Sequence, residues 1–366
     1  MRRSPLIIAA LSVAVLAAMA LTVQTRLGRQ SLPRPAAQPA QRTADNTLPV
    51  LSESVPEFSG IAEWINSAPL TPAGLKGKVV LVDFWTYSCI NCIRALPAVI
   101  ALDKLYRRAG LQVVGIHTPE FAFEKEPANV RQAVARFGIE YPVALDNGYG
   151  TWNNFANNYW PAQYLFDVRG RLRYTSIGEG HAAETTKAVQ ELLAEAGLAV
   201  EKEVALPETN FDPSRIGTPE TYIGYGRQQF LGNGEQPLRD QPQYFQAPDR
   251  AEYNLFYLDG TWQVEAGQAV LKGSPGRILY RYKASNANLV MGAPGGGIRA
   301  EVRLDGQPVP AGLRGADVRP DDGRTYVLVA EQRLYSLIDA QGDYAEHLLE
   351  IIFPAPGVEA YAFTFG

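Results

Sequence analysis

Two cysteines stand three residues apart, at the point where one sequence pattern gives way to another. Residues 79–85 form an apolar, β-branched run typical of a buried strand, residues 86–88 interrupt it, and helical spacing begins near Cys89. At the start of a helix, residues i and i+3 are neighbours, so the sulfurs of Cys89 and Cys92 lie on one face. The positive end of the helix dipole favours a thiolate over a thiol. Cys89 is therefore the candidate nucleophile, and the more buried Cys92 is the candidate resolving thiol.

Two other uses of a cysteine pair must be weighed against this one. A structural zinc site takes four ligands, whereas the chain has two cysteines and its three histidines, His117, His181 and His347, form no spaced pair. A structural disulfide across so short a loop removes little entropy from the unfolded chain. The residues therefore favour a redox pair, and they show no metal, flavin or nucleotide motif, so no cofactor is expected.

The sequence around the cysteines resembles a known family. The D-F-W of residues 83–85, followed by C-x-x-C, resembles the thioredoxin fold. Residues 85–94 resemble the soluble, extracytoplasmic thioredoxin domain of the DipZ-type thiol-disulfide exchange proteins, within the TlpA-like group. Residues 115–121, 141–147 and 158–162 match the same family. The resemblance implies an α/β thioredoxin fold with a TlpA-like insertion, and a thiol-disulfide oxidoreductase.

Two further site residues follow from this resemblance. It implies that Asp83 lies behind the cysteines, reaches Cys92 through water and takes its proton as Cys92 attacks the mixed disulfide. The alternative, a surface aspartate at a strand end, fits poorly with the apolar residues on both sides. The resemblance also implies a cis peptide at Pro161, which would expose the backbone of Trp160 to an extended substrate segment.

The expected substrate contacts surround Cys89. Trp85 and Tyr87 are expected to form an apolar rim beside it, with Trp160 as the opposite wall. A carboxylate at Glu120 could raise the pKa of the thiol, or Glu120 could be a solvated loop residue. The sequence does not decide between these two interpretations of Glu120.

The elements around the pair predict a thioredoxin-like domain over residues 51–198. The predicted strands and helices alternate in the order that the thioredoxin layout requires. They are strands 79–85, 111–117, 141–145, 162–167 and 172–177, and helices 90–108, 130–137 and 182–196. An extra strand and helix between Tyr141 and Tyr159 resemble the TlpA-like insertion.

The second half of the chain differs in composition and in its pattern of apolar residues. Residues 199–245 are rich in Pro, Gly and Gln and are expected to be a linker. Residues 246–366 contain short alternating strands, which predict an all-β sandwich similar to jelly-roll, galactose-binding-like or carbohydrate-binding modules. Trp262, Tyr280 and Tyr282 could form a sugar platform there, but core packing is the simpler expectation.

The N-terminus indicates export. Residues 1–26 contain basic residues followed by the apolar run 6–23, which fits either an uncleaved signal anchor or a signal peptide cleaved after the A-x-A-like site at residues 18–20. Residues 27–50 have the composition of a flexible tether. Both alternatives place the remainder outside the cytoplasm, and the expected location is the periplasm. The net charge of −4 gives no sign of nucleic-acid binding.

These observations together predict an extracytoplasmic enzyme that reduces disulfides in protein substrates. DipZ proteins usually carry a multi-spanning electron-delivery domain before the thioredoxin part. This sequence has one apolar segment at most, so a separate membrane electron donor is expected. Two alternatives stay open. The same pair could act as a disulfide oxidase or isomerase, or the chain could be a cell-surface protein that binds glycan or peptide through its β-sandwich.

Overall fold

The computed structural model describes residues 48–198, 212–233 and 237–366. Its first half is a mixed sheet flanked by helices, with strand order β1-β4-β3-β2-β5-β6. The strands are β1 (Trp64–Ile65), β2 (Val79–Trp85), β3 (Leu111–His117), β4 (Val143–Leu145), β5 (Ala162–Phe166) and β6 (Leu172–Ile177). The helices are α1 (Ile90–Tyr106), α2 (Pro127–Phe137), α3 (Gly150–Asn154) and α4 (Ala182–Glu195). This confirms the expected thioredoxin fold.

Strand β2 is the centre of this sheet. It pairs in parallel with β3 and antiparallel with β5, and every one of its residues is buried. Covering on both faces explains the continuous apolar run, since such a strand needs no polar side. Because side chains alternate between the two faces of a strand, Asp83 shares a face with Leu81 and Trp85, which pack in the core beneath α1 and α4.

The second half is a two-layered β structure. The strand order is β15-β16-β13-β18-β11-β9-β10-β19-β12-β17, with β7 on β19, β8 on β9 and β14 on β13. The strands are β7 (Thr221–Tyr222), β8 (Pro242–Phe245), β9 (Phe256–Val264), β10 (Ala269–Leu271), β11 (Gly276–Lys283), β12 (Asn286–Gly292), β13 (Ile298–Leu304), β14 (Gln307–Pro308), β15 (Val318–Asp321), β16 (Arg324–Val329), β17 (Arg333–Asp339), β18 (Glu346–Phe353) and β19 (Glu359–Phe365). The architecture is consistent with the predicted all-β sandwich.

Strand β9 joins the two layers. Its first part pairs with β11 and its second part with β10 and β8. Gly260 lies between these parts with φ of +96°, and a Cβ there would lie 2.7 Å from the carbonyl oxygen of Pro275. A residue with a side chain could not make this bend, so glycine allows one strand to serve both layers.

The core of the second half lies between the layers and contains the aromatic residues singled out from the sequence. Trp262, Tyr280 and Tyr282 are completely buried. They pack as core side chains, and none of them forms an exposed sugar platform.

The segment expected to be a linker belongs in part to the β structure. Within residues 199–245, strand β7 pairs with β19 and β8 pairs with β9. Their shortness and their many Pro and Gly neighbours hid the pairing. The predicted anchor over residues 1–26 and residues 27–47 of the predicted tether 27–50 lie outside the described residues. Within the part of the chain that the structure describes, none of the helices has the length and apolar character of a membrane span.

The two halves share a hydrophobic core. Val290, Tyr361 and Ala362 of the β structure belong to the same buried cluster as Cys92, Leu96 and the other residues beneath α1. The sheet that contains β12 and β19 therefore packs against the part of the thioredoxin fold that carries the cysteines.

Candidate active site

The cysteines sit at the junction between β2 and α1. Cys89 is the N-cap residue of α1, with an extended backbone, and its sulfur accepts a hydrogen bond from the backbone N–H of Cys92 at 3.2 Å. Cys89 is partly exposed, whereas Cys92 is 1% exposed. Both are free thiols. One sulfur is thus open to a substrate and held at the helix N-terminus, while the other lies beneath it.

A buried carboxylate lies behind the pair. Asp83 is 2% exposed, and its Oδ1 atom has no hydrogen-bond partner among the described residues. Burial raises the pKa of Asp83 to about 7, although a hydrogen bond from the Gln163 side chain opposes the rise. Burial also raises the pKa of Cys92 well above its ordinary value, and Cys89 and the charge of Asp83 add to this effect. A thiol that resists ionisation thus faces a carboxylate that titrates near neutrality.

The loop before Cys89 is held by a second buried carboxylate, Glu124. It accepts hydrogen bonds from the Ser88 hydroxyl at 2.6 Å and from the backbone N–H groups of Glu120 and Phe121 at 2.6 and 2.9 Å. Burial raises the pKa of Glu124, although the hydrogen bonds from Ser88 and Phe121 oppose the rise. Glu124 therefore connects the residue preceding Cys89 to the loop that follows β3.

The expected rim beside Cys89 is not formed by Trp85 and Tyr87. Trp85 is completely buried and Tyr87 is 2% exposed, because both rings pack into the core around His117. Burial lowers the pKa of His117 to about 3, so its ring is neutral at physiological pH. These side chains support the cysteine loop from below and offer no surface to a substrate.

The Trp160–Pro161 peptide is cis, as the resemblance implied. Trp160 is partly exposed, donates its indole N–H to the carbonyl oxygen of Thr118 at 3.1 Å and packs on Trp152 with ring centroids 4.3 Å apart. Trp160 is thus a partly exposed side chain that is held in place just before β5.

Glu120 is bound by the β half of the chain. Its carboxylate accepts a hydrogen bond from the Tyr222 hydroxyl at 2.6 Å and pairs with Arg227 at 2.9 Å. The Arg227 guanidinium also lies 3.6 Å from the centre of the Tyr222 ring. With its side chain 9% exposed, Glu120 is an inter-half contact and is not a solvated loop residue.

Aromatic packing reinforces this contact. Phe121 and Phe123 stack on one another, and both meet Tyr361 of β19 edge-on, with centroids 5.4 and 4.6 Å away. All three rings are at most 6% exposed. This packing holds the β structure against the loop that Glu124 also holds.

A cleft lies beside the cysteines, between the two halves of the chain. Ile90 and Asn91, the two residues between Cys89 and Cys92, form one wall, and residues 216–220 together with the end of β19 form the other. Its volume is about 440 Å³. A substrate that reaches Cys89 from this side meets both halves of the chain.

Comparison with known proteins agrees with this geometry. Residues 51–193 match the family described as Redoxin, and residues 218–366 match the family described as the thioredoxin-like C-terminal domain. The chain is 30% identical over 145 residues to the thiol-disulfide oxidoreductase YkuV of Bacillus subtilis, which covers 97% of that protein and 40% of this chain. The chain belongs to the thioredoxin-like thiol-disulfide oxidoreductases.

A longer match extends this relationship into the β half. The chain is 37% identical over 318 residues to protein DipZ of Mycobacterium tuberculosis, which covers 86% of the chain and 43% of DipZ. It is also 28% identical over 136 residues to the thiol-disulfide oxidoreductase ResA of Bacillus thuringiensis, or 37% of this chain and 75% of that protein. The chain thus spans less than half the length of the DipZ proteins that it matches.

Sequence reasoning missed several residues of this site. Gln163 could have been found, because it lies on a predicted strand, two residues after Pro161. This strand pairs with β2 so that Gln163 lies directly opposite Asp83, on the same face of the sheet. Glu124 carries no such signal. Tyr222 and Arg227 reach the site from a segment more than 100 residues away.

Proposed function

We propose that this protein reduces disulfide bonds in exported proteins, with Cys89 as the nucleophile, Cys92 as the resolving thiol and Asp83 as the proton acceptor. One observation carries the proposal. A partly exposed sulfur at a helix N-terminus accepts a hydrogen bond from the residue that holds the second, buried sulfur. This arrangement suits an exposed thiolate that attacks a substrate disulfide and is then itself attacked by the buried thiol beneath it.

The first step is attack by the Cys89 thiolate on one sulfur of the substrate disulfide. A bond forms between Cys89 and that sulfur, the substrate S–S bond breaks, and the other substrate sulfur leaves as a thiolate. The N–H of Cys92 stabilises negative charge on the Cys89 sulfur, since a hydrogen bond to the charged form favours it.

The second step resolves the mixed disulfide. Cys92 gives its proton to Asp83 and attacks the Cys89 sulfur, so the Cys89–Cys92 bond forms and the second substrate thiolate leaves. Because Cys92 resists ionisation by itself, a nearby base is needed. Asp83 is suited to the task, since its pKa of about 7 lies close to physiological pH.

The substrate is an extended polypeptide segment that enters the cleft beside Ile90 and Asn91. On one side of the cysteines, the half-open Trp160 and the cis Pro161 provide a fixed wall with backbone available for strand-like pairing. On the other side, residues 216–220 of the β half limit the approach. A disulfide-bonded segment that contacts both walls would be selected over a small-molecule disulfide.

Electrons for the next cycle come from a separate membrane reductant. Both cysteines of the sequence belong to this pair, so the electrons that return Cys89–Cys92 to the thiol state come from outside residues 1–366. We place this reaction outside the cytoplasm, with the N-terminal apolar segment 6–23 as the attachment to the inner membrane.

The reduction potential of Cys89–Cys92 tests the direction. Equilibration with glutathione or dithiothreitol couples should give a value near that of thioredoxin, about −270 mV. A value nearer −120 mV, as in a strong periplasmic oxidant, would make the protein a disulfide donor. Cys89→Ser should abolish exchange and Cys92→Ser should accumulate a mixed disulfide with a peptide substrate; full activity in Cys89→Ser contradicts the proposal itself.

A further inference from the structure

Gln163 is the side chain that reaches Asp83 from the neighbouring strand. The two residues are directly paired in the β2–β5 ladder, so their side chains lie on the same face of the sheet. The Gln163 side chain hydrogen-bonds to the Asp83 carboxylate, while Asp83 Oδ1 has no partner in the described part of the chain. Asp83 is therefore held by one amide, and that amide comes from outside the cysteine motif.

Thr185 fixes which end of this amide faces Asp83. The Thr185 hydroxyl donates a hydrogen bond to Gln163 Oε1 at 3.0 Å, and Thr185 is 1% exposed. With its oxygen engaged by a donor, Gln163 turns its NH₂ group toward the carboxylate. An amide donor favours the charged form of a carboxylate, which is the form that can accept a proton.

Gln163 also lies at a cavity that Asp83 itself does not line. The cavity, of about 150 Å³, lies between α1 and the start of α4. This volume accommodates several water molecules. Its walls include the half-buried pair Arg94–Glu179, and Ala183 and Glu184 at its outer end are exposed. Gln163 thus separates a buried carboxylate from a space that opens to solvent.

We propose that Gln163, oriented by Thr185, is a positioning residue for the resolving step: it keeps Asp83 ready to accept the Cys92 proton and connects Asp83 to solvent through this cavity. The inference rests on the role proposed for Asp83. In each cycle the Cys92 proton passes to Asp83, the Cys89–Cys92 bond forms as the bond from Cys89 to the substrate breaks, and the substrate sulfur leaves with the electron pair. Asp83 then releases its proton to solvent.

The charges around this route are few. Asp83 is faced by Cys92 from α1 and by Tyr141 from the segment before β4. The groups around the cavity are Arg94, Glu179, His181 and Glu184. Gln163 is the side chain that hydrogen-bonds to Asp83. Its removal should therefore change the proton affinity of the carboxylate directly.

The test is a stopped-flow reaction of the reduced protein with a chromogenic aryl disulfide. Attack by Cys89 releases one aryl thiolate and attack by Cys92 releases the second, so the slower phase reports the resolving step. Gln163→Leu should move the acid limb of that phase to higher pH by about one unit, a roughly tenfold lower rate at pH 6, because a hydrogen bond to a charged group is lost. The first phase should be unchanged.

Two threonines provide a matched comparison. Thr185→Val should shift the acid limb in the same direction by a smaller amount. Thr186→Val should not shift it, because the Thr186 hydroxyl bonds to the carbonyl oxygen of Ala182 within its own helix. If Gln163→Leu fails to fold, the comparison of these two variants decides the question.

The outcomes separate this inference from the proposed function. An unchanged acid limb in both Gln163→Leu and Thr185→Val overturns the role of Gln163, while Cys89 and Asp83 keep theirs. If Asp83→Asn leaves the slower phase and its pH dependence unaltered, the role of Asp83 and the inference both fail. Loss of both phases in Cys89→Ser shows in every case that exchange uses this pair.

Discussion

Replacement of Asp83 by asparagine should stabilise the protein relative to wild type, and this gain should grow as the pH rises. Asp83 is completely enclosed, and burial raises its pKa from an ordinary 3.8 to about 7. One pKa unit corresponds to 1.36 kcal/mol, so the ionised carboxylate costs the folded state about 4 kcal/mol above pH 8. Asparagine carries no charge and avoids this cost.

The pH dependence follows from proton binding. Between about pH 4 and pH 7 the folded protein holds a proton on Asp83 that the unfolded chain has lost. The contribution of Asp83 to the free energy of unfolding of the wild type is therefore fully present below pH 4 and is lost as the pH rises through 7. The free-energy difference between Asp83→Asn and wild type should be near zero at pH 4 and grow to about 3–4 kcal/mol at pH 8.

Urea unfolding of the reduced protein, followed by tryptophan fluorescence at several pH values, measures this difference. An unpaired amide hydrogen in the variant would lower its stability at all pH values alike, so the rise between pH 4 and 8 is the diagnostic quantity. Glu184→Gln, which removes an exposed carboxylate, controls for the loss of one charge. A flat difference curve for Asp83→Asn would refute the account of Asp83 as a group penalised by burial.

Three further changes probe the surroundings. Phe123→Ala should cost about 3–5 kcal/mol in urea unfolding, because the ring is buried against Tyr361 at the contact between the halves; a loss under 1 kcal/mol would mean that the contact adds little. Ser88→Ala should cost about 1–3 kcal/mol near neutral pH, because Glu124 loses its hydroxyl donor; unchanged thermal stability would contradict this. Glu179→Gln should stabilise the protein at pH 8 by no more than about 3 kcal/mol and have little effect at pH 4, since burial raises the pKa of Glu179 to about 7; calorimetry at the two pH values checks the sign.

The elements with continuous or alternating apolar patterns were predictable from sequence. Strands 79–85, 111–117 and 172–177 have the expected bounds, because their neighbours on both sides are strong turn signals. Helix α2 begins three residues earlier than expected, since Pro127 fits its first turn, where no backbone donor is needed. Strand β12 carries a weaker sequence signal, because its asparagines interrupt the apolar alternation.

The site divides in the same way. The cysteine pair, Asp83 and the cis Pro161 lie in or near a local motif and were expected at their positions. The burial of Tyr87 and the engagement of Glu120 were not foreseeable, because both depend on the β half folding back onto the cysteine loop. Such contacts are set by long-range packing and leave no periodic trace in either segment.

The shared core also bears on how these halves can be inherited. Phe121 and Phe123 belong to the thioredoxin fold by sequence, yet they are covered by Tyr361 near the other end of the chain. A recombination event that exchanged the β half for an unrelated domain would leave bare aromatic rings close to the redox pair. The two halves are therefore expected to evolve as one unit, with substitutions in the loop after β3 matched by substitutions in β19.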